Sequence, residues 1–418
     1  MASSGTTKGL LLSVSVGSGY SESYGYDGFN RLSSLTHTID GRGYTTSYQY
    51  NMISQRTQMT YPSARVVNLN HDGSGRMSSL TDQFSSSYVS GIGYNSAEQV
   101  TGWTLGNGVA ETFGYDSNRL QMTSQSATRS GTTLMSLTYG YNALAGQNGT
   151  GSTAGNSGQL MSVSGTINGT TESASYTYDL VGRLATSNQT SNGASAPRRF
   201  AYDRWGNRTG VWNATSGGTQ IQSVTLQQSG GAPTNRIATV NSASYSYDAA
   251  GNVTNDGSHS YVYDAENRVV GVDGGAATYS YDERNWRVKK TVGSSVTHYV
   301  WEGGQVLSEH NGSTGAVIVD YIYAGGRMIA KEEAGARWYF LSDRLSVRVS
   351  LDASGNVVGR QGHLPFGEDF SESGAQQKHH LTSYERDAES GLDHAVNRYY
   401  GSNVGPNRGG KSLFFCIT

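Results

Sequence analysis

The stretch Tyr176-Thr177-Tyr178-Asp179-Leu180-Val181-Gly182-Arg183-Leu184 decides how this chain is read. Two rings stand two residues apart, so on a strand they share one face. Asp follows at once, then a short segment containing Gly, which bends a chain into a tight turn. The apolar Leu184 after the Arg starts a return strand. The unit is a β-hairpin.

The pattern recurs. Rings two apart occur at Tyr24/Tyr26, Tyr48/Tyr50, Phe113/Tyr115, Tyr139/Tyr141, Phe200/Tyr202, Tyr245/Tyr247, Tyr261/Tyr263, Tyr279/Tyr281 and Tyr321/Tyr323. Tyr26-Asp27 leads to Asn30-Arg31, Tyr202-Asp203 to Gly206-Asn207-Arg208, and Tyr263-Asp264 to Asn267-Arg268. His71-Asp72-Gly73-Ser74-Gly75-Arg76 is a variant. Unit spacing runs from 24 residues (Tyr26 to Tyr50) down to 16 (Tyr247 to Tyr263). Such periods mark repeat arrays, in which each unit buries its apolar side on its neighbours. The fold class is therefore all-β, an array of hairpins. Aligned rings on neighbouring strands are expected to contribute about 0.2–1 kcal/mol per pair.

Composition agrees. Only 35% of the 418 residues are hydrophobic, but 28 Tyr against 9 Phe and 6 Trp supply half-buried strand positions. Gly is abundant at 56 and suits turns, whereas Pro, which would remove ladder donors, numbers 5. Net charge is −2 with no basic stripe, so nucleic acid is not an expected partner. The single cysteine, Cys416, excludes an internal disulfide framework and a Cys-rich zinc site. No run of about 18 apolar residues exists, so no membrane-spanning helix is expected. Leu10-Leu11-Leu12 is too short for a signal-peptide core. The expectation is export by another route, or a fragment of a longer protein.

The chain divides into an N-terminal segment (1–19), the hairpin array (20–297), a more apolar and less regular module (298–405) and a divergent tail (406–418). Two polar segments, Asn142 to Glu172 and Asn213 to Asn241, read as interruptions, as a long surface loop or decayed units. Ala324 to Arg337 is a weak helix candidate, opposed by Gly325-Gly326 and Gly335.

These residues resemble a YD-repeat protein of the bacterial Rhs class, related to the C components of insecticidal toxin complexes and more remotely to teneurins. The Tyr-Asp units carry part of the resemblance. The sharper part is Pro365-Phe366-Gly367-Glu368, then Glu385-Arg386-Asp387-Ala388-Glu389-Ser390-Gly391-Leu392-Asp393, then Arg398-Tyr399-Tyr400, which match the Rhs-associated core module in order and spacing. The resemblance spans roughly Tyr20 to Gly405. It implies hairpins spiralling into one continuous, curved sheet, shell- or barrel-like, plugged by the core module and enclosing a toxin or effector that the module cuts free. After Arg398-Tyr399-Tyr400 the family continues with Gly-Arg-aromatic and a Pro-Asp-Pro segment. Here Gly401-Ser402-Asn403 follows instead, so the expectation is a chain lacking the cleavage segment and the toxin.

The candidate catalytic residues are those the resemblance implies, Asp387 and Asp393 as an aspartyl-type self-cleaving pair with Arg386 and Arg398 nearby. Two carboxylates sharing one proton can divide the roles of acid and base. The competing and favoured reading is that these carboxylates pair with the arginines and fix the plug. The repeat Asp residues are read as turn formers that accept backbone N–H groups, and the following Arg as a partner for a neighbouring unit. His363, His379, His380 and His394 fit no zinc spacing, so no metal and no cofactor is expected. The expected function is a structural β-shell around a toxin or effector polypeptide, secreted or at the cell surface. The alternatives are a carbohydrate-binding adhesive array and a self-cleaving core. Unpaired sheet edges invite self-association.

Overall fold

The computed structural model describes residues 9–17, 19–143 and 155–402. It is all-β. Twenty strands from Ser13–Val16 to Ala243–Ser244 belong to one sheet, and twelve from Tyr261–Tyr263 to Ser373–Gly374 to another. A three-stranded sheet joins Glu385–Arg386, Asp393–His394 and Tyr399–Tyr400. The hairpins pair antiparallel, strand to next strand. Among the described residues no helix is long and apolar enough to cross a membrane.

The Tyr-Asp unit explains why hairpins form. The Asp179 N–H donates to the Arg183 carbonyl at 2.9 Å, and the Gly182 N–H to the Asp179 carbonyl at 3.0 Å. Asp179 Oδ1 accepts the N–H groups of Val181 and Arg183 at 3.0 and 2.9 Å. Its Oδ2 accepts Arg183 Nε at 2.6 Å. Gly182 sits at φ 82°, where a Cβ is disfavoured, and Asn30 and Asn267 take the same position in their units at φ 61° and 63°. The register slips by a bulge between Thr177 and Tyr178, as it does between Gly25 and Tyr26. A turn closed by a left-handed residue and a bulge is a standard longer hairpin loop.

The repeat Arg does reach the neighbouring unit, and it also pairs within its own turn. Its ion pair is with the Asp of its own turn, at 2.7 Å for Arg31–Asp27 and 2.6 Å for Arg183–Asp179. It reaches the neighbouring unit differently. The Arg183 guanidinium lies 4.9 Å from the Tyr202 ring centroid and donates to the Asp203 carbonyl at 2.7 Å. Arg31 treats Tyr50 and Asn51 the same way, at 4.8 and 2.8 Å. That Tyr in turn donates its hydroxyl backward, Tyr202 to the Leu184 carbonyl and Tyr50 to the Leu32 carbonyl, each at 2.8 Å. Elsewhere Asn replaces Arg: Asn207, Asn252 and Asn356 donate Nδ2 to Asp203, Asp248 and Asp352 at 2.7, 2.9 and 2.9 Å.

The polar interruptions are corrected. Ser162–Ile167 pairs with Thr170–Tyr178, and Gln220–Ser229 with Ala232–Val240. Backbone pairing satisfies these strands whatever their outward side chains, and Ile167, Val224 and Ile237 still provide buried positions. Residues 144–154 of the first segment, the tail 406–418 and Cys416 lie outside the described residues. The helix weighed for Ala324 to Arg337 is the strand Arg327–Glu333.

The chain forms two compact units. One comprises the residues up to Ala110 with Ala277–Phe340 and Asp352–Asn356. Within it the N-terminal strands meet the later ones through polar and aromatic groups. Arg284 forks onto Glu22 at 2.7 and 3.0 Å, Tyr48 donates to Glu302 at 2.6 Å, and Tyr61 donates to the Tyr321 carbonyl at 2.8 Å. Arg65 pairs with Asp320 at 2.9 Å, and Arg337 with Asp82 at 2.8 Å. Buried pairs of this kind lose much of their attraction to desolvation, so they select the register more than they add stability. The second unit comprises Glu111–Ala276, Leu341–Leu351 and the described residues from Val357 onward. Its contacts include Arg348 with Asp343 at 2.8 Å, Arg360 with Glu172, and Gln189 donating to the His363 carbonyl at 3.0 Å.

Arg183→Ala removes the turn fork and the cation over Tyr202 together. We expect a loss of about 1–2 kcal/mol from these partly exposed contacts, read as a lowered urea midpoint. Arg183→Lys is expected to recover less than half, because an ammonium cannot serve Asp179 and the Asp203 carbonyl in one plane. An Ala variant as stable as the parent would refute the role given to this arginine.

Candidate functional site

The three segments of the core module converge. In Pro365-Phe366-Gly367-Glu368, the Gly367 N–H donates to the Leu364 carbonyl at 2.9 Å and the Leu364 N–H to the Glu368 carbonyl at 2.7 Å. Gly367 has φ 94°, and a Cβ there would sit 3.2 Å from Leu381, so both backbone and space require glycine. Phe366 is buried against Phe200, ring centroids 4.9 Å apart and planes at 78°. The fully buried Arg208 lies 4.6 Å from the Phe366 ring and 4.0 Å from Glu368, and donates to Gln222 at 2.9 Å. The Tyr400 hydroxyl donates to the Phe366 carbonyl at 2.6 Å.

The acidic segment is a hairpin. Arg386 faces Asp393 in register, and Asp393 faces Tyr400. The turn is closed by the Asp387 carbonyl, which accepts Ser390 and Gly391 N–H groups at 3.2 and 2.7 Å. Arg386 binds Asp393 through Nε at 2.7 Å and Nη2 at 3.2 Å. It also donates to Asp369 at 2.6 Å and to the Gly367 carbonyl at 2.9 Å. One guanidinium thus ties the hairpin to the Pro-Phe-Gly-Glu turn.

Asp387 and Asp393 are both fully buried. Burial pushes the Asp393 carboxyl above its ordinary value, and Arg386 draws it back only in part. Burial also opposes the charge of Arg386, but Asp393 and Asp369 outweigh it and hold the guanidinium above its usual range. The structure therefore brings Arg386 and Asp393 together. Asp387 occupies the turn of the same hairpin, and Arg398 stands exposed before the last strand.

Asp369 and Arg208 belong to this constellation and were not among the site residues expected from the sequence, whereas Tyr400 was part of the motif and here donates to the Phe366 carbonyl. The signals were present: Asp369 directly follows the Pro-Phe-Gly-Glu turn, and Arg208 is an extra arginine one place beyond the turn partner Asn207. Of the four histidines considered for metal, His380 lies with Asp369 and Glu372, their ligand atoms within 4.8 Å of one another. Arg386 and His380 already engage Asp369 there. His363 instead meets Ser346 Oγ at 2.7 Å.

Arg386→Met strands Asp393 in the interior. The expected cost is about 3–5 kcal/mol, measured by chemical denaturation, whereas the double variant Arg386→Met/Asp393→Leu recovers most of it. If the double variant proves as damaged as the single one, the pair is not what joins these segments.

A sequence profile of the teneurin YD-shell matches residues 6–82 and 154–405. The tRNA3(Ser)-specific nuclease WapA of Bacillus spizizenii is 28% identical over 214 residues, 48% of this chain and 9% of that protein. The tRNA nuclease WapA of Bacillus subtilis strain 168 matches with the same 28%, 48% and 9%. Among solved structures, the TcdB2–TccC3 crystal structure superposes with a TM-score of 0.74 at 16% identity, covering 95% of this chain and 24% of that one. The Photorhabdus luminescens Tc holotoxin pore, solved with a TccC3 variant, gives 0.72 at 16% identity, covering 92% and 22%. The chain spans less than a tenth of the two nucleases and about a quarter of the solved chains. With the profile covering well over half its length, the chain belongs to the teneurin YD-shell family.

Proposed function

We propose that this chain is a stretch of wall in a β-shell that encloses a toxin or effector polypeptide. The observation that carries the reading is the interlocked hairpin array joined to the module of Pro365-Phe366-Gly367-Glu368, Arg386–Asp393 and Tyr399-Tyr400. A second observation supports it. In the first unit a shallow polar surface is lined by Gln49, Asn51, Gln58, Asn68, Asn70 and Thr81. These groups pair among themselves: Gln58 donates to Asn68 at 2.8 Å, Asn70 to Ser79 at 3.0 Å, and Asn68 to the Asp82 carbonyl at 3.0 Å. A wall with its own hydrogen bonds satisfied offers little grip to apolar segments of an unfolded cargo. It works by exclusion. The assembled protein acts outside its producing cell, secreted or at the cell surface.

Electron microscopy of the assembled protein is expected to show a hollow particle with this chain in its wall, and enclosed polypeptide that resists added protease until the shell is denatured. A solid particle, or cargo digested as fast inside as outside, would remove the reading.

Self-cleavage is a second reading, favoured by two fully buried aspartates in one hairpin, Asp387 and Asp393. Arg386, and Arg398 at the hairpin's far end, would position them. It predicts a cleaved band on a gel that disappears in Asp387→Asn and in Asp393→Asn. One full-length band in all three proteins excludes it.

A further inference from the structure

We propose that the seam around Tyr44 in the first unit is an acid-sensitive latch: protons taken up by His298 and His310 release the hairpin at Asp40–Tyr44 from the strands Ser295–Glu302 and Gln305–Asn311. This goes beyond the shell reading and does not depend on it.

The geometry is a buried histidine pair capped by a tyrosine. His298 and His310 face each other across the two strands, and their residues are 0% and 2% exposed. The Tyr44 ring touches both, edge-on to His298 with centroids 5.8 Å apart and tilted against His310 at 4.5 Å. Its hydroxyl meets His298 Nδ1 at 3.0 Å. His310 Nδ1 lies 3.2 Å from the Gly315 carbonyl and its Nε2 3.0 Å from Ser308 Oγ. A carbonyl only accepts, so His310 carries its proton on Nδ1 and takes the serine hydroxyl at Nε2, the neutral ring.

Burial is what opposes more protons on the pair, while the charges around it pull both ways, Asp40 and Asp320 favouring the charged rings. Lys289 from the strand Arg287–Val292 and Arg42 from the hairpin both face His298 and disfavour its charged form. Asp40 lies 3.4 Å from His298 Nε2, but it also pairs with Lys289 and is partly exposed. Asp320 faces His310 and is bound by Arg65 and Ser63. Glu309, beside His310, accepts the Tyr321 hydroxyl at 2.8 Å. The hairpin is anchored next to the pair by Arg42, which donates to the carbonyls of Gly312 at 2.9 Å, of Thr314 at 3.2 Å and of Ser313. Opening the seam frees those three bonds together.

Burial keeps both rings below the ordinary value of 6.5. The closed seam is at full strength above that value. It weakens as pH falls below it, because the opened rings bind protons that the closed ones refuse. A ring that stays neutral when closed favours opening roughly thirty-fold at pH 5. Two carboxyls in the unit act in the opposite sense. Burial pushes Asp282 up to about 6 and raises Asp320, so their proton uptake favours the closed form as pH falls.

The test is hydrogen–deuterium exchange of the whole chain at pH 7.4 and 5.0, corrected for intrinsic rates, in peptides covering Arg42–Tyr50 and Ser295–Asn311. We expect exchange at least ten-fold faster at pH 5.0, and most of that increase to vanish in His298→Gln/His310→Gln. Unchanged protection at pH 5.0 overturns the proposal. So does an increase equally large in the double variant, which would assign the effect to carboxylates. Should the variant not fold, imidazole NMR of the parent decides: rings that titrate near 6.5 without loss of protection overturn the latch, and rings that gain protons only as protection is lost support it.

Discussion

An aspartate holding its own arginine, and that arginine lying over the next tyrosine, is the interaction on which this structure depends. Every part of it is local. Asp179 organises five residues, and Arg183 then needs only one more strand pair to reach Tyr202 and the Asp203 carbonyl. Each contact is individually small, about 1 kcal/mol or less at partly exposed positions. Repetition gives it weight, since units such as those of Arg31 and Arg183 are each tied at the turn to the unit that follows. Variation in the turn sequence is tolerated as long as Asp or Asn accepts the N–H groups and a left-handed residue closes the loop, as Asn51 and Ser54 do.

The interiors follow a different rule. Within the first unit the contacts between distant segments include Arg284–Glu22, Arg65–Asp320, Arg337–Asp82 and a tyrosine hydroxyl on a carbonyl. In the second, Arg208 runs from the array into the core module and packs on Phe366. A chain with few aliphatic side chains thus uses directional groups to fix which strands meet. Glu22 shows the consequence. Burial opposes its charge, yet His37, Arg284, Tyr24 and Tyr20 hold its carboxyl far below the usual range.

What the sequence made legible follows from this division. The hairpins could be read because their signals lie within a few residues: Tyr, Asp, a left-handed residue, Arg. The order of the core module could be read because it resembles that of a known family, and Arg386 meets its partner Asp393 only seven positions along the chain. The strands Gln220–Ser229 and Ala232–Val240 were read as an interruption because their side chains are polar and their stability comes from neighbouring backbones. Glu22 with Arg284 and Arg208 with Phe366 could not be read, since nothing local marks residues so far apart as partners.

The tyrosine hydroxyl points backward along the chain and the arginine forward, so the stack has a direction. Parting a junction leaves an arginine and a carbonyl that has lost its tyrosine donor on one side, and a tyrosine hydroxyl and a carbonyl that has lost its arginine donor on the other. Each junction breaks the same contacts whichever neighbour leaves, so the two sides of a parted stack differ only in the chemistry they expose, a cation on one and a phenol on the other.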